Sequence, residues 1–199
     1  MTTMAGNPAV GARFEALFTP MTLGTRRVRN RIMLAPMSVC YGAADGAVTD
    51  REIEHYARRA QGGAGVVITE NFAVSIAGRQ MPLQTLASGE QHLPGLRRLA
   101  AGIHRRGALA MVQLVHAGRY AGPWEEYETR RRLAPSAVPF ELTPGRVVTP
   151  QEITAAEIEE TITAFVRAAQ LCERWPNGWA CTGWPFSRTR RKAQRSMIS

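Results

Sequence analysis

The sequence predicts an α/β fold built on parallel strands buried on both faces. Three observations carry that reading. Short, nearly continuous apolar runs occupy residues 31–37, 65–69 and 108–115, as parallel strands covered on both sides require. Amphipathic segments with helical spacing separate the runs. Polar residues gather directly after each run rather than within it.

The elements follow in order. Residues 1–12 are small and polar and read as a loose N-terminus. RIMLAPM, residues 31–37, is a first strand closed by Pro36, which has no N–H to donate to a ladder. A loop over 42–46 leads to Thr49, which opens a helix with Glu52 three residues on as a capping box. Ile53, Tyr56, Ala57 and Ala60 form its apolar face, and Gly62-Gly63 stops it. GVVIT, residues 65–69, is the second strand. Pro94 starts a helix with Leu96, Leu99, Ala100 and Ile103 on its apolar face and Gly107 at its end. ALAMVQLV, residues 108–115, is the third strand. Residues 117–148 form a long polar loop, more suited to function than to linking. Thr154 and Glu157 make a second capping box, and Ile158, Ile162, Phe165, Val166 and Ala169 line the helix that follows.

Two architectures fit this alternation: a doubly wound sheet and a (β/α)8 barrel. No GxGxxG or GxxxxGK[ST] follows a strand, and Gly62-Gly63-Ala64-Gly65 precedes one, which counts against a nucleotide-binding doubly wound sheet. In a barrel, function sits at the carboxyl ends of the strands. Those ends carry Pro36-Met37-Ser38, Glu70-Asn71, and Gln113 followed by His116-Ala117-Gly118-Arg119.

Composition bounds the function. With 45% hydrophobic residues over 199 positions, global disorder is excluded and a real core is affordable. No apolar run approaches the roughly 18 residues of a membrane helix, and residues 1–11 lack the order of a secretory leader. Cys40, Cys172 and Cys181 are too few and too scattered for a disulfide framework or a zinc site, so no metal is expected and a reducing cytoplasm is the expected compartment. The net charge of +9 is uneven. Six basic residues, Arg174, Arg188, Arg190, Arg191, Lys192 and Arg195, follow the last acidic one, leaving 19 basic against 16 acidic residues, a net +3, for residues 1–173. Three of the four tryptophans, Trp175, Trp179 and Trp184, share this stretch.

Four segments, in this order, resemble the old yellow enzyme family of flavin-dependent NAD(P)H oxidoreductases, including its 2,4-dienoyl-CoA reductase branch. They are LFTPMTLGTRRVRNRIMLAPM (17–37), DGAVTDREIEHYARRAQGGAGVVITE (45–70), LPGLRRLAAGIHRRGALAMVQLVHAGR (93–119) and ITAAEIEETITAFVRAAQLCER (153–174), with QLVHAGR the most telling. The resemblance implies an eight-stranded β/α barrel with FMN at its carboxyl end. It implies hydride transfer from NAD(P)H through the flavin to an activated C=C bond of a small acceptor such as an enone. It places Ala35, Pro36, Met37 and Ser38 along the isoalloxazine, Asn71 beside the flavin through its backbone, and Gln113 at the pyrimidine edge. Some branches have Cys or Thr where this chain has Ser38.

Single residues have plainer readings too. Pro36 and Met37 alone would be a strand end and core filler. Gln113, an amide inside an apolar strand, is costly unless bonded, which favours a role. His116 and Arg119 fit a brace of the third-strand loop as well as a site. Tyr41, beside Cys40 in the loop after the first strand, and His116 are the candidates for substrate contact. Glu70 reads as a buried hydrogen-bond acceptor, and His55, His92 and His104 as surface positions on helical segments.

After Arg174 the family pattern stops. Relatives continue into a fourth strand resembling GFDGVEIHGAHGYL, whose polar pair, often two histidines, holds the substrate. This chain reads RWPNGWACTGWPFSRTRRKAQRSMIS instead, so no catalytic residue is identified. The expectation is a truncated, partial (β/α)8 TIM barrel of about the first three to four βα units. Residues 13–174 form the N-terminal part of an FMN-binding barrel, and residues 175–199 a basic tail without order, as where a reading frame is lost near Arg174. A barrel of roughly 250 residues does not fit in 199, so weak or absent FMN binding and activity are expected. Two alternatives accompany this. One is a non-enzymatic fragment that an oligomer or another polypeptide completes. The other, nucleic-acid binding through the tail, is not expected, because no nucleic-acid motif accompanies the charge.

Overall fold

The computed structural model describes residues 14–122, 131–174 and 180–182. The described residues begin with α1 (Glu15–Phe18) and an antiparallel hairpin, β1 (Met21–Leu23) and β2 (Arg26–Val28), turned at Gly24 with φ +60°. They continue through β3 (Met33–Leu34), α2 (Asp50–Gln61), β4 (Val66–Ala73), α3 (Leu93–His104) and β5 (Leu109–Val115). Then come β6 (Leu133–Ala134), the hairpin β7 (Phe140–Thr143) and β8 (Arg146–Val148), β9 (Gln151–Glu152), α4 (Ala155–Glu173) and β10 (Ala180–Thr182).

Four strands make one parallel sheet in the order β10-β5-β4-β3. Each strand lies beside the next one in the chain, and α2, α3 and α4 serve as the crossovers. A doubly wound sheet reverses its strand order part-way. This one does not, so the fold is a partial (β/α)8 barrel, half of the eight strands a closed barrel needs.

The sheet separates two apolar regions. On the helix side Val67, Phe72, Ala110 and Val112 pack with Tyr56, Ala60, Leu96, Leu99, Ile103 and Leu171. On the barrel side Val66, Ile68 and Met111 pack with Val28, Met21 and Leu23, so the N-terminal hairpin covers the barrel's amino end. Arg29, just past that hairpin, donates to the carbonyls of Ala60 and, at 2.8 Å, Ala64 near the end of α2, and at 3.1 Å to that of Arg106 beyond α3. A cation among helix C-terminal carbonyls is favourable, and here it ties the amino end together.

Several expectations change. The first strand keeps only Met33–Leu34 in the ladder, and from Ala35, next to Pro36 with its missing N–H, the chain leaves the sheet. The second strand runs four residues past Thr69, to Ala73. A fourth strand exists: Ala180–Thr182 pairs with Met111–Gln113, too short a run between Trp179 and Gly183 to announce itself. Those three residues of the tail, expected to lack order, therefore join the sheet; the rest of 175–199, with its Trp and Arg residues, lies outside the described residues, as do residues 1–13. The 117–148 stretch holds a 3-10 turn (Gly118–Tyr120), β6 and the β7–β8 hairpin.

The caps differ as well. Thr154 and Glu157 form both halves of a capping box. At Thr49 only half forms: its hydroxyl accepts from Glu52 N at 3.2 Å, while the Glu52 side chain turns into the interior. On α4, Ile162 is buried as expected, but Val166 is 38% exposed, and the buried remainder is Ala168, Leu171 and Cys172. His92 is buried rather than on the surface.

Candidate functional site

The carboxyl ends of β3, β4 and β5 meet in one place, and an irregularity in β4 decides what faces it. Three steps along β4, from Ile68 to Asn71, match two along β5, from Met111 to Gln113. One extra residue on one strand is a β-bulge, and it exchanges the faces of everything after it. Without it, alternation would place Phe72 with Ile68 on the barrel side. With it, Phe72 joins the helix-side core, and Asn71 comes opposite Gln113, which follows Leu109 and Met111 along the barrel face by alternation. The bulge also leaves Glu70 N outside the ladder, and it donates to Tyr56 Oη at 2.7 Å.

Ser38 joins this pair: its hydroxyl donates to Asn71 Oδ1 at 3.0 Å. Ala35, Met37 and Ser38 are exposed and Pro36 half-buried, forming an open, mainly apolar edge beside two carboxamides. The half-buried Gln113 amide takes no hydrogen-bond partner among the described residues. Six of the residues expected at the site, Ala35, Pro36, Met37, Ser38, Asn71 and Gln113, thus stand together at the carboxyl end of the sheet.

The two candidates for substrate contact have other company. The Tyr41 ring packs on α2, with the Arg51 guanidinium 3.9 Å from its centroid and His55 edge-on at 5.3 Å. His116 Nδ1 accepts from Gly118 N at 3.2 Å, which puts the ring proton on Nε2, and burial pushes its pKa down, so the ring is neutral. Its ring lies so close to Gly78 that a Cβ there would stand 2.5 Å from Cδ2. The His116 ring thus packs between its own loop and the Gly78 turn. Arg119 lies 5.1 Å from the Phe140 centroid and 5.9 Å from that of Tyr120.

Several residues that hold the site were missed in the sequence. Gln84, 1% exposed, donates from Nε2 to Asn71 O at 2.5 Å and accepts from Gln80 N at 2.7 Å. That occupies the Asn71 carbonyl, so the side chain is the part of Asn71 that meets Ser38. Arg79 donates to Gln84 O at 3.0 Å, Ala44 O at 2.7 Å and Ala43 O at 3.2 Å, joining the loops after β3 and β4. Glu70, read as a buried acceptor, is one: Oε2 takes Val39 N at 2.8 Å and Cys40 N at 3.0 Å. Cys40, at φ 52°, adopts a left-handed conformation that these bonds hold in place. A polar cluster in a segment such as RQMPLQT was the one sequence signal for Arg79 and Gln84.

The profile of the NADH:flavin oxidoreductase / NADH oxidase family matches residues 16–176. The chain belongs to this family. Within the family, it is 38% identical over 154 residues to a metal reductase of Desulforamulus reducens, covering 77% of this chain and 22% of that protein. It is 37% identical over 155 residues to an NADPH dehydrogenase of Geobacillus sp. strain WCH70, covering 77% of this chain and 43% of that one. A solved 2-naphthoyl-CoA reductase in complex with 2-naphthoyl-CoA superposes with a TM-score of 0.75 at 32% identity, over 83% of this chain and 26% of the other. The old yellow enzyme homologue of Zymomonas mobilis superposes with a TM-score of 0.69 at 24% identity, over 79% and 45%, a likeness of fold. The chain spans less than half the length of these NADH:flavin oxidoreductase relatives. No described helix is long and apolar enough to cross a membrane.

Proposed function

We propose that this chain carries the ring-binding side of an FMN site in an NAD(P)H oxidoreductase of the old yellow enzyme type, acting on a small acceptor with an activated C=C bond such as an enone. The observation that carries the proposal is the juxtaposition of Ser38, Asn71 and Gln113 beside the open Ala35–Met37 edge. A flat, largely apolar ring needs an apolar wall and a few fixed amide groups, and the residues present fit that need. Ala35, Pro36 and Met37 would line the ring. The Gln113 amide would bond the pyrimidine edge, with the Ser38–Asn71 pair beside it. FMN, when bound, supplies the hydride acceptor and donor. The protein's part is to fix the ring's orientation and exclude water from one face.

The described residues supply four strands of the eight in a closed barrel, so this stretch by itself is expected to hold FMN weakly. The test is the visible spectrum of the purified chain with an FMN titration. The expected result is no stoichiometric yellow colour on purification and a weak, saturable change on adding FMN, reduced about tenfold in affinity in Gln113→Leu, as loss of a hydrogen bond costing about 1.4 kcal/mol implies. A stoichiometric flavoprotein, or a titration indifferent to Gln113→Leu, contradicts it.

A second reading, completion of the barrel by another polypeptide or a second copy, is favoured by the exposed Met33 (47%) and Met37 (55%) at the β3 margin of the sheet. Light scattering and co-purification decide it: a monodisperse monomer that brings down no second chain counts against it.

A further inference from the structure

Two buried carboxyl groups lie behind the site, and the hydrogen bonds they make leave half of each unexplained. Glu52, in the first turn of α2, and Glu70, at the β4 bulge, are both 0% exposed. Glu70 Oε2 accepts from Val39 N and Cys40 N, and Glu52 Oε2 accepts from Thr85 Oγ1 at 2.8 Å. The second oxygen of each, Oε1, is buried without a donor, and the two carboxyl groups lie close enough to act directly on each other. Two bare carboxylates repel in such a place, and two unbonded oxygens there are costly. A single proton between them removes both penalties.

We propose that Glu52 and Glu70 share one proton, carried on Glu52, and that this acid-to-carboxylate hydrogen bond makes both of them positioning residues for the 38–40 segment of the site. The proton belongs on Glu52 because two backbone N–H groups favour charge on Glu70, whereas Glu52 meets a neutral hydroxyl. The other groups around the pair are Tyr56 from α2, Cys40 from the loop after β3, and Thr85 and Arg79 from the segment after β4. Burial raises the Cys40 and Tyr56 pKa values, so both stay neutral. Arg79 is occupied by carbonyls of both loops. Burial pushes Glu52 up to about 8. Burial also raises Glu70, opposed by the Cys40 and Val39 amides and by Glu52.

The proton sharing stands on its own; its value for positioning rests on the proposed flavin site. Glu52 loses its proton near 4.5 when unfolded and near 8 when folded. Its contribution to stability is therefore complete below about pH 4.5 and is lost progressively as pH rises to about 8. Glu52→Gln keeps a donor for Glu70 and an acceptor for Thr85 but cannot titrate. The stability gap between E52Q and the native chain, measured by denaturant unfolding, should therefore shift in favour of E52Q as pH rises from about 5 to 8, by about tenfold in the folding constant per pH unit. The buried histidines, whose lowered pKa values act in the opposite sense below about 6.5, cancel in that difference. A gap constant with pH overturns the shared proton.

The positioning role has its own readout, with no flavin present. Cys40 alkylation, followed by peptide mapping, should speed up about tenfold or more in Glu70→Ala, where the Val39 and Cys40 amides lose a charged acceptor. E52Q should stay within about threefold of the native rate, while Glu52→Ala should not. An unchanged Cys40 rate in Glu70→Ala refutes positioning, and if that variant fails to fold, Glu52→Ala against E52Q decides the matter: equal rates in the two refute positioning. A failed FMN titration with both of these results intact removes the flavin reading alone.

Discussion

At the residue scale, the site depends on polar atoms that were visible in the sequence as types but not as partners. Gln113 was legible, because an amide within ALAMVQLV demands a reason. Tyr56 was not: helical spacing marked it as core, and it is 1% exposed, yet its hydroxyl also takes the Glu70 N–H at the bulge. Tyr56→Phe keeps the packing and removes that acceptor, so it is expected to destabilise the fold by about 1–3 kcal/mol, the cost of a buried unsatisfied donor. Urea unfolding of the variant measures this. A loss below about 0.5 kcal/mol would mean that water replaces the hydroxyl at the bulge. Glu52 misled for a related reason. Its spacing from Thr49 fits a capping box, but burial against Glu70 and Thr85 outweighed the exposed cap, and the carboxyl turned inward.

At the element scale, the sequence pattern found the three long helices and part or all of each of the three strands read from it, while the short first helix, the bulge and the short ladders escaped it. Leu96, Leu99, Ala100 and Ile103 are all buried, as the 3.6-residue repeat on α3 required. Leu99 is 0% exposed within the helix-side core, so Leu99→Ala should cost about 2–5 kcal/mol through lost burial and a residual cavity. A melt of the variant against the native chain checks it, and a cost under about 1 kcal/mol would place the stabilising core elsewhere. The second strand was cut short because a two-residue period cannot represent the extra residue between Ile68 and Asn71. That same residue brings Asn71 to face its neighbour on β5, so the part of β4 hardest to read is the part the site uses. β10, three residues long, falls below the length at which any period is measurable.

At the scale of the whole molecule, the four described parallel strands with helical crossovers are one half of the strands of a barrel, and they carry the edge proposed above to hold a flavin ring. The doubly wound alternative fell to strand order alone, which composition and spacing do not encode. The uneven charge also takes its place here: the helices and three of the sheet's four strands belong to the nearly balanced residues 1–173, and the basic excess lies beyond α4, in the stretch that also holds β10. Mapping backbone amide NMR shifts while FMN is added to the chain tests the central claim most directly. Weak, saturable shifts concentrated at Ala35, Met37, Ser38, Asn71 and Gln113 are predicted. Shifts that gather on another face, or none at saturating FMN, would contradict a ring site at the carboxyl end of this sheet.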